Sequence, residues 1–264
     1  MIKLTTLLPQ VINLSKTVGE FIRTEKQKFS TDKIEIKGLN DLVSYVDKTS
    51  EQKIVNALST IFSDAGFIVE ENTRTDKKEY NWIVDPLDGT TNFIHGIPSY
   101  AISIALEYKG EILLGVVYEI SRDECFYAIK NGGAFLNDTP IQVTETTLLK
   151  DSLIATGFPV YNFERIAPFF KTLEYFLRNT HGVRRIGAAA VDLCYVACGR
   201  VDAFFEYNLS PWDVAAGALI VKEAGGKVTD FNGGNNWLFG KEVVASNARI
   251  YNNFAEVVKT FFYS

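Results

Sequence analysis

The stretch Trp82-Ile83-Val84-Asp85-Pro86-Leu87-Asp88-Gly89-Thr90-Thr91-Asn92-Phe93 decides how the rest of the chain is read. Its first three residues make a brief apolar run of strand length that ends on Asp85. Pro86 has no backbone donor and stiffens the turn that follows. Asp88 comes three residues after Asp85, close enough for both carboxylates to face one ion, and the Leu87 carbonyl between them can point the same way. Gly89 lets a backbone approach a ligand closely. A helical turn opening at Thr90 would present free N–H groups to an anion. Two readings of this string alone stay open. It is either a set of oxygen ligands for a hard cation beside a phosphate cradle, or an Asp-Pro turn ahead of a helix cap.

Working outward, further acids occupy similar places. Glu70, in Val69-Glu70-Glu71, closes a strand-like run, and Asp213, in Ser210-Pro211-Trp212-Asp213-Val214, precedes a helix. Asp47 precedes another helix, and Glu206 ends the strand-like Asp202 to Phe205. Each acid alone is explained by solvation or helix capping. Their common placement at strand ends and helix starts is what would converge them, because such edges build clefts in α/β proteins.

Composition narrows the chemistry. The 264 residues include only two histidines, His95 and His181, and three cysteines, Cys125, Cys194 and Cys198. That excludes a three-His or four-Cys zinc site and a dense disulfide framework. The 32 acids against 27 bases give a net charge of −5, which does not draw nucleic acid or an anionic membrane surface. No stretch approaches the roughly 20 apolar residues of a membrane helix. Met1 to Leu14 reads as part of an amphipathic helix rather than a leader. Sparse cysteines suit a reducing cytoplasm. Cys194 and Cys198, four apart on an expected helix, read as two small buried residues.

Periodicity predicts helices over Leu7 to Phe29, from near Asp47 or Thr49 to Phe62, over Arg165 to Leu177, Ala188 to Cys198, Ala215 to Ala224 and Ala248 to Phe262. Short strands are predicted at Phe67 to Glu70, Trp82 to Val84 and Cys125 to Ile129, and a hairpin over Ala101 to Glu119 around Lys109-Gly110. Further short strands are expected at Ala134 to Leu136, Ile141 to Val143, Leu153 to Ala155, Val183 to Ile186, Val201 to Phe205, Lys227 to Asp230 and Val243 to Ala245. The pattern implies layered α/β packing: an α+β half (about 1–147) and an α/β half (about 148–264) that share a cleft within one domain, 1–264.

The chain resembles the inositol monophosphatase family of metal-dependent, lithium-sensitive phosphatases. Asp85 to Phe93 matches the family's first signature without a gap, and Trp212-Asp213-Val214-Ala215-Ala216-Gly217 with Glu223-Ala224-Gly225-Gly226 matches the second. The likeness extends through Lys37 to Asp47, Gly133 to Asn137 and Arg184 to Glu206, so it spans essentially the whole chain. It departs at Val69, where the family usually has glycine, and at Ala188, where many members have serine or threonine.

The resemblance implies a layered αβαβα sandwich, of mixed α+β class, and a homodimer. It implies that Glu70, Asp85, Asp88 and Asp213, with the Leu87 carbonyl, bind two or three Mg2+ ions. The implied reaction is hydrolysis of inositol monophosphate or a similar polyol or sugar phosphate, by direct in-line attack of water. Glu70 would orient that water, and Thr90, hydrogen-bonded to Asp47, would take or position its proton. Gly89 and Thr90 would hold the phosphate beside Asp88. Gly187, Ala188, Ala189, Glu206 and the far oxygen of Asp213 would meet the polyol, and Lys37 matches a basic residue near the cleft. Alternative substrates within the class are fructose 1,6-bisphosphate, histidinol phosphate, NADP and 3′-phosphoadenosine 5′-phosphate. A regulatory binding protein on the same scaffold, with a partner in the transcription machinery, is the alternative outside it. His95 and His181 carry no expected role, and Arg184 and Arg185, on one short strand, are expected to point to opposite faces.

Overall fold

Ala189–Ala197 is apolar except for Asp192, and all nine of its residues are buried. A helix of that kind must be enclosed on every side, and the fold is arranged around it. The structure is a computed structural model that describes residues 3–28, 34–38, 41–159 and 162–263, the stretches 34–38 and 41–43 by backbone alone. The chain opens with α1 (Leu4–Lys28), β1 (Ile34–Gly38), β2 (Asp41–Ser44), α2 (Tyr45–Ile61), β3 (Gly66–Val69), β4 (Tyr80–Asp88) and α3 (Thr90–His95). It continues with β5 (Ala101–Tyr108), β6 (Glu111–Glu119), β7 (Glu124–Ile129), β8 (Ala134–Leu136), β9 (Thr139–Ile141), β10 (Leu153–Thr156), α4 (Ile166–Asn179) and β11 (Gly182–Arg184). It closes with α5 (Ala189–Ala197), β12 (Ala203–Tyr207), α6 (Pro211–Glu223), β13 (Gly226–Thr229), β14 (Glu242–Asn247) and α7 (Tyr251–Tyr263).

Two large sheets result. One has seven strands in the order β3-β4-β5-β6-β7-β8-β9, antiparallel except for the parallel β3–β4 pair. The other has five in the order β11-β10-β12-β14-β13, with parallel pairing at β10 and antiparallel pairing at β14. Helices α5 and α6 lie between the sheets and touch both. Helices α1 and α2 cover the outer face of the seven-stranded sheet, and α4 and α7 that of the five-stranded sheet. The layers therefore run αβαβα, as expected. The outer helices are one-sided: α1 buries Leu7, Val11, Val18 and Ile22 and exposes the opposite face.

Several boundaries differ from expectation, and three of the differences shape the acidic cleft. Strand β4 does not stop at Asp85. Asp85 pairs with Ser103 and Asp88 with Ala101, and the irregularity between them absorbs Pro86, which has no N–H for the ladder. Helix α2 starts at Tyr45 because Ser44 is its cap, with the Asp47 side chain accepting the Ser44 backbone N–H in return. Helix α6 starts at Pro211, preorganised for a first helical position, so Asp213 falls inside the first turn.

Candidate active site

The first signature is fixed by hydrogen bonds internal to it. The Leu87 backbone N–H donates to Asp85 Oδ1 at 2.9 Å, and the fully buried Leu87 side chain anchors the turn. Gly89 then adopts φ +88°, a left-handed cap that other residues resist, and α3 begins at Thr90. The Thr90 hydroxyl lies 2.9 Å from Asp47 Oδ1 and 3.0 Å from the Leu87 carbonyl oxygen. With one proton it donates to one of them at a time. Asp47 Oδ2 is already taken by the Ser44 N–H and hydroxyl, at 2.9 and 2.6 Å, so only Oδ1 faces Thr90. Burial raises the Asp47 pKa against the pull of these donors.

The parallel pairing of β3 with β4 sets Val69 beside Val84, which carries Glu70 alongside Asp85. Asp85 interacts electrostatically with both Glu70 and Asp213. One Asp213 oxygen accepts the Ser210 backbone N–H at 2.6 Å, the reciprocal half of a capping box, which aims the other into the cleft. Asp88 Oδ2 accepts the Ala190 N–H at 2.7 Å, so this acid also closes the start of α5.

Crowding of acids perturbs their titration. Burial first, then repulsion from Glu70, Asp88 and Asp213, holds Asp85 well above the ordinary carboxylate range. Asp88 is pushed up to about 6 by burial, against the backbone N–H groups at the start of α5. Asp213 is pushed up to about 7 by burial and the charge of Asp88. Glu206 lies well above its usual value through burial, then Asp213 and Asp88, opposed by Arg185. The acids meet pairwise; among the described residues no three Asp, Glu, His or Cys side chains are gathered closely enough to bind one ion by themselves. That arrangement suits Mg2+, which takes oxygen ligands and is commonly held by one or two carboxylates with waters and substrate phosphate completing the shell.

Beside the acids opens a cavity of about 170 Å³, lined among others by Asp88, Gly187, Ala188, Ala189, Glu206 and Asp213. It joins the two signature segments to the expected polyol-binding stretch. Glu206 sits within β12 rather than beyond its end, and reaches the cavity because Gly157 leaves room: a Cβ there would fall 1.9 Å from Glu206 Oε1. His95 is the last residue of α3 and exposed, and His181 is exposed as well. Cys194 is buried in α5 and Cys198 caps its end, both as free thiols. Strand β11 ends at Arg184, so Arg185 leaves the strand and lines the cavity. The side chain of Lys37 lies outside the described residues.

Three residues in the site's support had escaped sequence reasoning. Glu51, fully buried on α2, accepts the Glu71 and Thr73 backbone N–H groups at 2.6 and 2.9 Å and so fixes the turn that follows Glu70. Its signal is an acid on the same helix face as Ile54 and Leu58. Asn92 donates to the Ser99 and Ile186 carbonyls at 2.8 and 3.0 Å, tying α3 to the segment before Gly187. Asp192 is 1% exposed in α5, and among the described residues neither of its carboxyl oxygens has a hydrogen-bond partner. A lone acid inside an otherwise apolar helix is the signal that would have found it.

The chain matches the inositol monophosphatase family over residues 3–261. It is 43% identical over 246 residues, 92% of this chain and 94% of the relative, to the putative Nus factor SuhB of Neisseria meningitidis serogroup B. It is 39% identical over 257 residues, 97% of each chain, to an inositol-1-monophosphatase of Mesorhizobium japonicum. The crystal structure of extragenic suppressor protein suhB from Bartonella henselae superposes with a TM-score of 0.91 at 39% identity, over 96% of this chain and 98% of that one. With this agreement in sequence, layer order and connectivity, the chain belongs to the inositol monophosphatase family.

Proposed function

We propose that this protein is a Mg2+-dependent phosphomonoesterase that hydrolyses inositol monophosphate or a similar polyol or sugar phosphate. The family consists of phosphoric monoester hydrolases and is generally Mg2+-dependent. The observation that carries the reading is the gathering of Glu70, Asp85, Asp88 and Asp213 around one cleft, where burial, joined by charge repulsion at Asp85 and Asp213, favours the protonated forms of Asp85, Asp88 and Asp213 in the absence of a cation. A dianionic phosphate would be repelled by these acids without positive charge between them. Glu70, Asp85, Asp88, Asp213 and the Leu87 carbonyl are the groups that would hold two or three Mg2+ ions. Once bound, the ions would neutralise phosphate oxygens, activate water and stabilise the leaving alkoxide.

The chain's own groups do the rest. Glu70 orients the attacking water in line with the ester bond, with no phosphoenzyme. Thr90 accepts the water's hydrogen bond while donating its own proton to Asp47 Oδ1, the free oxygen of a carboxylate whose other side is locked by Ser44. The Gly89 and Thr90 N–H groups hold the phosphate beside Asp88. Glu206, Asp213 and the Gly187 to Ala189 backbone receive the polyol hydroxyls. Phosphate release from myo-inositol 1-phosphate, with and without Mg2+, tests the reading; no turnover of any polyol or sugar phosphate would sink it.

A second role is favoured by the relatives named Nus factor SuhB. A partner in the transcription machinery would be captured equally by wild type and by the inactive Asp85→Asn protein; loss with the variant, or no capture at all, argues against it. A homodimer belongs to the same proposal. Support comes from exposed Phe170 and Leu177 on α4, which covers the five-stranded sheet, and light scattering in solution tests it. A cytoplasmic location fits three free thiols, and no described helix is long and apolar enough to cross a membrane.

A further inference from the structure

The substrate cavity has one basic wall, and the mechanism above leaves it unused. Arg185 lines the cavity opposite a row of acids, yet among the described residues it makes no hydrogen bond and no ion pair. Its guanidinium carbon lies 5.7 Å from the centre of the Phe158 ring, and Phe158 lines the same cavity with 46% of its surface exposed. Gly187 accommodates the arm: a Cβ there would fall 2.6 Å from Arg185 Nη1 and 3.0 Å from the Asn92 amide nitrogen. The glycine, held in place by Asn92, thus leaves the space in which the guanidinium lies. The positive charge is felt by Asp88, Glu206 and the unpartnered Asp192. These acids draw the arm toward the cavity without occupying its N–H donors.

A guanidinium whose five donors have no partner among the described residues, set over an aromatic ring that lines the same cavity, matches a carboxylate or phosphate bidentately. The scissile phosphate is accounted for at the acidic end. Neutral polyol hydroxyls are served by Glu206 and the backbone near Gly187. We infer that Arg185, positioned by Phe158 and Gly187, receives a second anionic group carried by the substrate at the end remote from the scissile phosphate. The assignment rests on the phosphatase reading given above and sharpens it: the preferred substrates are polyol phosphates bearing a second carboxylate or phosphate.

Two linear substrates that differ only at the far end test this. Glucitol 6-phosphate ends in a hydroxymethyl group and 6-phosphogluconate ends in a carboxylate, and each carries a single scissile phosphate. Wild-type kcat/KM should favour 6-phosphogluconate by roughly tenfold or more, the factor expected of one charge-assisted contact. In Arg185→Ala the ratio should fall to about one, mainly through a higher KM for 6-phosphogluconate, while Arg185→Lys keeps an intermediate ratio. Raising the salt concentration should shrink the wild-type preference. A wild-type ratio near one overturns the assignment. So does a ratio that survives Arg185→Ala, or an equal loss on both substrates, which would mark a structural role. If wild type with Mg2+ releases phosphate from myo-inositol 1-phosphate but from neither of these compounds, the assignment is overturned while the phosphatase reading stands; failure on all three removes both.

Discussion

Asp88 carries two duties on one carboxylate. It faces the acidic cleft, and its Oδ2 accepts the Ala190 N–H at the start of α5. Asp88→Asn keeps an oxygen for that N–H while removing the charge. We expect kcat to fall by about two orders of magnitude or more, the scale of losing one preorganised electrostatic contact, while the melting temperature stays within a few degrees. Mg2+-dependent phosphate release and thermal unfolding, measured on the same sample, check both halves of the statement. Gly157→Ala tests another position at this scale. The added methyl collides with the Glu206 carboxylate, so Glu206 must leave its rotamer and the polyol KM should rise severalfold. Unchanged discrimination among polyol phosphates would show that Glu206 does not read the polyol.

At the scale of elements, Glu70 and Asp88 stand at strand ends and Asp47 and Asp213 in first helical turns, which the sequence predicts, whereas Asp85 and Glu206 lie within β4 and β12. Asp85, Asp88 and Asp213 could be found because two signature strings surround them, and Glu70 because it ends an apolar run. The supports were not legible, for physical reasons. Nothing local in the sequence of α2 says that Glu51 reaches across to the turn after Glu70, since that pairing depends on how α2 lies on the sheet. Likewise the sequence predicts a shorter β4, because Pro86 normally ends a strand, and only the pairing of Asp88 with Ala101 shows that the sheet accommodates it. The apolar residues flanking Arg185 predict a strand there, but β11 stops one residue earlier. Glu51→Ala would leave two N–H donors in the turn without their acceptor. It should cost about 1–3 kcal/mol in urea unfolding and lower kcat as Glu70 loses its fixed place. Glu51→Gln, which retains one acceptor oxygen, should recover part of both; no change in either variant would mean the turn is held by other contacts.

For the whole molecule, the cleft makes stability depend on pH and on the cation together. Asp88 and Asp213 are pushed up to about 6 and about 7 by burial and, for Asp213, by the charge of Asp88, against about 3.9 in an unfolded chain. Between those limits the folded, metal-free protein binds more protons than the unfolded chain. Its stability is therefore greatest at the acidic end of the window and declines as pH rises through about 7. Mg2+ takes the place of those protons, so its stabilisation should be largest above about pH 7 and fade toward about pH 5. Melting temperatures with EDTA and with Mg2+ at both ends of the window check this; equal Mg2+ stabilisation at both would contradict it.

The bond from Ala190 to Asp88 joins positions 102 residues apart, and Asn92 reaches across 94 residues to Ile186. The catalytic groups therefore come from segments that meet only when the two sheets have closed on the helices between them. Such distant closures are slow, because loop entropy is lost before contact is gained. In refolding, helical signal should return well before phosphate release does, and the last kinetic phase should be the one that restores turnover. A fragment ending before β10 would form strands and helices and yet hold no working cleft, which makes recovered activity a direct report that folding has finished.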